Sequence, residues 1–161
     1  MIVRQLMETD LDQVLKIYGE GLATKCATFE TNIPSKEVWH KKYHPTLRFA
    51  AEIEGKVVGW ITLSQVSSRE VYRGVGEISV YISELARGKG VGTLLMEKMI
   101  QESEKEGFWT LESSIFAINS ASIALHEKVG FRIVGTREKI AMRDGKWHNT
   151  TIMERRSKVL V

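Results

Sequence analysis

The sequence is poor in the residues that stiffen or cross-link a chain: it has one cysteine, Cys26, and two prolines in 161 residues. One cysteine forms no internal disulfide, so a reducing, cytoplasmic setting is expected. No apolar run reaches the roughly 18 residues a membrane span needs, so no membrane partner is expected. The start, MIVRQLMETD, meets charge too early for a secretory segment. There is no repeat, linker or low-complexity stretch, and residues 1–161 read as one domain. Charge of one sign is also scarce. The 23 Lys and Arg stand against 20 Asp and Glu, a net +3 that suits an anionic ligand and excludes a nucleic-acid-binding tail. Arg155, Arg156 and Lys158 read as a solvated end.

Metal-ligating residues are equally few. His40 and His44 are four apart, but Pro45 follows and no third ligand is near, so no metal is expected. His148 sits beside Trp147 as a structural or dimer-surface residue, and Cys26 has no evident base to make it a nucleophile.

What is present is strong periodicity. IVRQL reads as a strand, and Thr9 with Asp12 as a capping box for a helix with the stripe Leu11, Val14, Leu15, Tyr18 and Leu22. Ser35 caps a second, shorter helix that ends before Pro45. Phe49, Ala51, Ile53, then Val57, Gly59, Ile61, alternate on either side of Glu54–Gly55, a hairpin. Residues 65–74 read as a loop, and GEISVYI, 76–82, as a strand. A helix runs from about Gly90 to Glu106 with Val91, Leu94, Leu95, Met99 and Ile100 inward and Gly107 as its stop. WTLESSIF is a strand, and Asn119 caps a short helix that ends at Gly130. Two further strands flank Asp144–Gly145, a strong hairpin signal. The order β α α β β β α β α β β predicts a mixed α/β sheet with one parallel crossover, residues 76–113.

That crossover carries Gly88, Gly90 and Gly92 between strand and helix, flanked by Arg87 and Lys89. A glycine turn before a helix N-terminus exposes unpaired N–H groups and the positive end of the helix dipole, an anion site. A P-loop needs Gly-Lys-Ser/Thr, which Lys89–Gly90 reverses. A dinucleotide fingerprint needs glycine where Thr93 or Leu95 stands, although Glu112 mimics its ribose-binding acid. The pyrophosphate of coenzyme A remains.

Arg87-x-x-Gly90-x-Gly92 after strand 76–82 resembles the acyl-CoA signature of the GNAT N-acetyltransferases. ATFETNIPS at 27–35, GEISVYISELARGKGVG at 76–92, NSASIALHEKVGF at 119–131 and GKWHNTTIMERR at 145–156 resemble the phosphinothricin-acetyltransferase-type amino-acid N-acetyltransferases within them. The resemblance spans nearly the whole chain. It implies the GNAT fold, an α/β (α+β) mixed, mostly antiparallel central sheet splayed at its middle strands and flanked by helices. It implies acetyl-CoA as co-substrate, a small-molecule amine acceptor and a homodimer joined through the closing strands with Trp147. One position departs: Asn149 stands where the family usually has Asp.

Acetyl transfer to an amine needs a proton acceptor, an oxyanion donor and a way to protonate or stabilise the leaving thiolate. Glu77 shares a strand face with Ser79 and Tyr81, and the resemblance places the general base there. Asn119, Ser122 and His126 form one helical stripe. The resemblance gives His126 a role in proton transfer. Asn119 and Ser122, the loop residues Arg87, Gly88, Lys89, Gly90, Val91, Gly92 and Thr93, and the backbone of Val80, Tyr81 and Ile82 are the expected contacts of the carrier. A bulge in that strand would turn an N–H toward the thioester carbonyl. Phe29, Tyr72 and Arg73 are expected at the acceptor, with Arg73 on its carboxylate. The expected activity is N-acetylation of a small amino acid or analogue of the phosphinothricin or methionine sulfone/sulfoximine type. The alternatives are transfer to a peptide N-terminus, polyamine or aminoglycoside, or a non-catalytic acyl-CoA sensor.

Overall fold

Alternating strand faces create two cores, one on each side of a single sheet. The computed structural model describes residues 1–161. The elements are β1 (Ile2–Gln5), α1 (Leu11–Ala23), α2 (Lys36–Lys42), β2 (Arg48–Ile53), β3 (Lys56–Gln65), β4 (Val75–Ile82), α3 (Val91–Lys105), β5 (Thr110–Phe116), α4 (Ser120–Lys128), β6 (Arg132–Arg143) and β7 (Lys146–Arg156). The seven strands lie in the order β1-β2-β3-β4-β5-β7-β6. Every pairing is antiparallel except β4 with β5.

On one face, Phe49, Ala51, Ile61, Leu63 and Ile78 meet Val91, Leu95, Met96 and Met99 of α3. On the other, Ala50 and Trp60 meet Leu11, Val14, Ile17 and Tyr18 of α1 and Trp39 of α2. Burial of these side chains contributes about 1.5–3 kcal/mol each. Both two-residue turns, Glu54–Gly55 and Asp144–Gly145, have positive φ at both positions, as the tight hairpin geometry requires.

Two local expectations are corrected. Leu94 is 38% exposed, and Met96, two residues later and 1% exposed, takes its place in the core. The first helix is not opened by Thr9 and Asp12. A 3-10 turn, Glu8–Asp10, precedes it. The Asp10 carboxylate accepts from the Met7 N–H at 2.7 Å and is gripped by both terminal nitrogens of Arg4 at 2.8 and 3.0 Å. Asp10 therefore anchors the chain entering α1 through the turn's N–H and the guanidinium together, charge-assisted bonds being roughly twice as strong as neutral ones.

Candidate functional site: a forked sheet with a glycine loop at its head

β4 and β5 pair for only three residues, Val75–Glu77 against Thr110–Glu112. Beyond them β4 stays on β3 through Ile82, and β5 stays on β7 through Phe116. The two inner edges therefore diverge with main-chain groups unpaired, and Glu77 sits at the crotch of the fork. The β3–β4 ladder runs without a register shift from Gly59–Ile82 to Gln65–Gly76, so the fork opens without the expected bulge.

β4 leads into a turn at Glu84–Ala86 and then the glycine loop. Gly88 and Gly90 have φ of +75° and +80°, a region closed to most side chains, and a Cβ on either would meet nothing within 4 Å. Gly90 caps α3 without a side-chain acceptor, so the first N–H groups of the helix, from Val91 to Thr93, have no side-chain cap. Arg87 and Lys89 are exposed beside them and make no ion pair. This open, donor-rich cradle fits a diphosphate. Gly92 differs: a Cβ there would lie 2.8 Å from Leu125 Cδ2. Its missing side chain makes room for α4, and its N–H stays among the uncapped donors. The Val91 side chain is also spoken for, at 1% exposure in the core, which leaves its N–H as the group available to a ligand.

Between the fork's arms lies a cleft of about 220 Å³. Glu77, Val80, Tyr81, Asn119, Ser122, His126 and Phe29 all line it, so β4, the capped end of α4 and the loop after α1 meet there. Val80 and Ile82 pack their side chains against the α3 core, and Tyr81 stacks on Trp60 at 4.8 Å. What these three residues turn to the fork is backbone. Burial pushes the Tyr81 phenol far above its ordinary value, so it stays neutral.

Glu77 is exposed, not buried. Its partner across the parallel pair, Glu112, has its carboxyl raised by burial and then by the Glu77 charge. Glu112 thus faces a carboxylate rather than a ribose, which removes the last support for a dinucleotide site.

His126 is 1% exposed. Its Nδ1 lies 2.6 Å from the Ser122 carbonyl, which only accepts, so Nδ1 carries the proton. Nε2 is buried with no partner. Burial lowers the pKa, with the Ser122 bond opposing, so the neutral ring offers a free lone pair. Thr150 Oγ1, in the same cleft, is also buried and unpartnered. Orphaned polar atoms on a cleft wall mark places where a ligand completes the hydrogen bonding.

Asn119 Oδ1 caps α4 on Ser122 N at 3.2 Å, and its Nδ2 reaches the Cys26 carbonyl at 3.5 Å, tying the helix to the loop that carries Phe29. Phe29 packs on Phe116 at 4.4 Å, and His148 closes behind both rings. Asn149 Oδ1 accepts from Lys139 N at 2.8 Å where β6 bulges, a structural task for the departing residue.

Tyr72 and Arg73 are not in the cleft. A 3-10 turn, Glu70–Tyr72, swings them outward. Arg73 lies over Trp109 at 5.2 Å with Glu70 at 3.6 Å, and Tyr72 lies under Arg69. His40 and His44 do not converge on a common point. His40 bonds Glu8 and Arg48, and His44 Nδ1 accepts from Thr46 and Leu47 N–H. The sequence analysis missed Lys42, Thr28, Ser113, Ser114 and Thr150, which line the cleft.

Comparison with known proteins agrees with this geometry. The acetyltransferase (GNAT) family profile matches residues 13–131. The L-methionine sulfoximine/L-methionine sulfone acetyltransferase of Pseudomonas aeruginosa is 28% identical, covering 94% of this chain and 92% of its own. The crystal structure of a GNAT superfamily phosphinothricin acetyltransferase from Sinorhizobium meliloti with AcCoA bound superposes with a TM-score of 0.87 at 29% identity, covering 96% of this chain and 87% of that one. A ribosomal-protein-alanine N-acetyltransferase from Brucella melitensis gives 0.89 at 29%, covering 98% and 100%. A sheet that forks beside a glycine-capped helix, matched along its length in this way, is the framework of one enzyme group, and the chain belongs to the GNAT family of acetyltransferases.

Proposed function

We propose that the protein transfers the acetyl group of acetyl-CoA to the amino group of a small amino acid or analogue of the methionine sulfone, methionine sulfoximine or phosphinothricin type. Acetyl-CoA supplies an acyl group activated as a thioester. The N–H groups at the head of α3, with Gly88 and Gly90 clearing the way and Arg87 and Lys89 adding charge, hold its diphosphate. The free edge of β4 at Val80–Ile82 holds its extended arm, as an added strand would be held.

The observation that carries the reading is the meeting of Glu77 and the orphaned His126 Nε2 in one small cleft. An amino acid enters as an ammonium, with a pKa of about 8–10, and must lose a proton before it attacks. Glu77, open to solvent, takes that proton directly or through water. His126 starts neutral with a lone pair on Nε2, so it accepts before it donates. It takes the second proton as the amide forms and passes it to the leaving thiolate. The cleft's 220 Å³ suits an amino-acid head and an acetyl group, and is small for an aminoglycoside.

A thiol-release assay across amino acids, phosphinothricin, methionine sulfone and polyamines tests the acceptor class. Glu77→Gln tests the base, with turnover expected to fall about 10²–10⁴-fold at unchanged acetyl-CoA affinity. Normal turnover would remove Glu77 from the mechanism.

We also carry forward a homodimer, a single domain and a cytoplasmic setting. The edge strand β6 is exposed from Arg132 to Ile140, and Ile133, Ile140, Met142 and Trp147 are each about half exposed on the closing hairpin. Sedimentation at micromolar concentration reads the dimer directly, and a monomer would reject it. Cys26 is free, as a reducing setting allows.

A further inference from the structure

The geometry points to Lys42 as the group that holds the acceptor's carboxylate and so sets specificity for free amino acids over amines that lack one. The inference rests on the proposed acceptor class and deepens it. Of the 17 residues that line the cleft, Lys42 is the one permanent cation and Glu77 the one carboxylate. A zwitterionic amino acid presents one ammonium and one carboxylate, and the cleft offers one partner for each. A peptide N-terminus or a polyamine presents no free carboxylate beside its amine and would leave Lys42 unmatched.

Lys42 is free for this work. Its neighbours on α2 are committed, Lys36 to Asp12 at 2.9 Å and Lys41 to Glu37 at 3.2 Å, while Lys42 forms no ion pair. Its Nζ lies 5.3 Å from the centre of the Tyr43 ring. Its charge also reaches the Tyr18 phenol, whose pKa is raised by burial and drawn back by Lys42. The exposed Lys42 side chain thus sets its ammonium beside the Tyr43 ring on the wall of the cleft.

Its base is firmly seated. Buried Arg48 caps the end of α2, donating to the carbonyls of His40, Tyr43 and His44 at 2.7–2.9 Å, and Ser64 Oγ donates to the Lys42 carbonyl at 3.2 Å. Tyr43, the next residue, is locked among Trp39 and Trp60. A flexible charged stem on a fixed backbone is suited to a small carboxylate of varying position. Arg73, the carboxylate partner expected from sequence, is instead held by Trp109 and Glu70 outside the cleft.

The test compares L-methionine sulfone with its carboxamide, as acceptors for the intact enzyme and for Lys42→Met, Lys42→Arg and Arg73→Met. The wild type should prefer the acid. Lys42→Met should raise KM for the acid about tenfold and leave KM for the carboxamide within about twofold, with kcat little changed for either. Lys42→Arg should restore most of the preference. Equal losses on both acceptors would mean a packing role, and an unchanged preference in Lys42→Met, or its collapse in Arg73→Met instead, would overturn the assignment. A wild type that turns over both acceptors equally would overturn it while leaving acetyl transfer to amino acids standing. A wild type that turns over neither would overturn the acceptor class and this inference together. Unchanged acetyl-CoA affinity and melting temperature in Lys42→Met show that the variant is folded.

Discussion

The glycine loop and the acceptor cleft lie at adjoining parts of β4, yet they are made of different materials. The loop is nearly all backbone: two glycines at positive φ, an uncapped helix start and two unpaired cations within seven residues. The cleft is nearly all side chain, drawn from α2, α4, β4, β5, β7 and the loop after α1. A diphosphate offers many equivalent oxygens and needs only a concave array of donors. Proton transfer needs particular atoms at particular places, which only a tertiary arrangement supplies.

The sharpest way to break this contrast is Gly90→Val. A branched side chain at φ +80° costs roughly 1–2 kcal/mol in backbone strain and projects into the open cradle. Acetyl-CoA affinity by calorimetry should fall about 100-fold or more, with only a modest fall in melting temperature. If affinity survives, the diphosphate is not held there.

A second experiment sharpens the cleft side. Burial lowers the folded-state pKa of His126, and of His44, so the unfolded chain binds protons more readily below about 6.5. Stability should therefore decline as pH falls from 7 toward 5. A further loss should follow below about pH 4, as Asp10, held low by the Arg4 bonds, takes up its proton. His126→Gln should flatten the first decline without changing the second, read as melting temperature against pH. An unaltered slope would mean that the ring is not desolvated in solution.

The smallest effect is expected at Gly92→Ala. Its added methyl meets the tip of Leu125, a flexible side chain, while alanine favours the helix by about 1 kcal/mol. Stability should move by about 1 kcal/mol or less, and acetyl-CoA affinity should change far less than in Gly90→Val. Equal losses in the two variants would mean that Gly92 also faces the ligand.

The same difference in materials explains what the sequence made legible. The loop, both hairpin turns and the stripe Asn119–Ser122–His126 are local patterns, readable from spacing. Lys42 and Thr150 are about 108 positions apart in the chain and meet only because α2 and β7 flank the same fork. Tyr72 and Arg73 misled because they stand just before β4, where an extended chain would aim them at the cleft; one 3-10 turn sends Arg73 to Trp109 and leaves Tyr72 against Arg69. The packing reason for Gly92 was not legible, because it depends on Leu125, 33 residues away.

The absence of a side chain at position 92 also has a mechanical result. Leu125 seats directly on the first turn of α3, and Leu125 is the neighbour of His126. The loop proposed to hold the carrier's phosphates and the imidazole proposed to shuttle protons thereby share one mount. On the proposed roles, a tilt of α3 would be felt at the ring one residue beyond the joint, coupling the grip on one end of the thioester to the chemistry at the other.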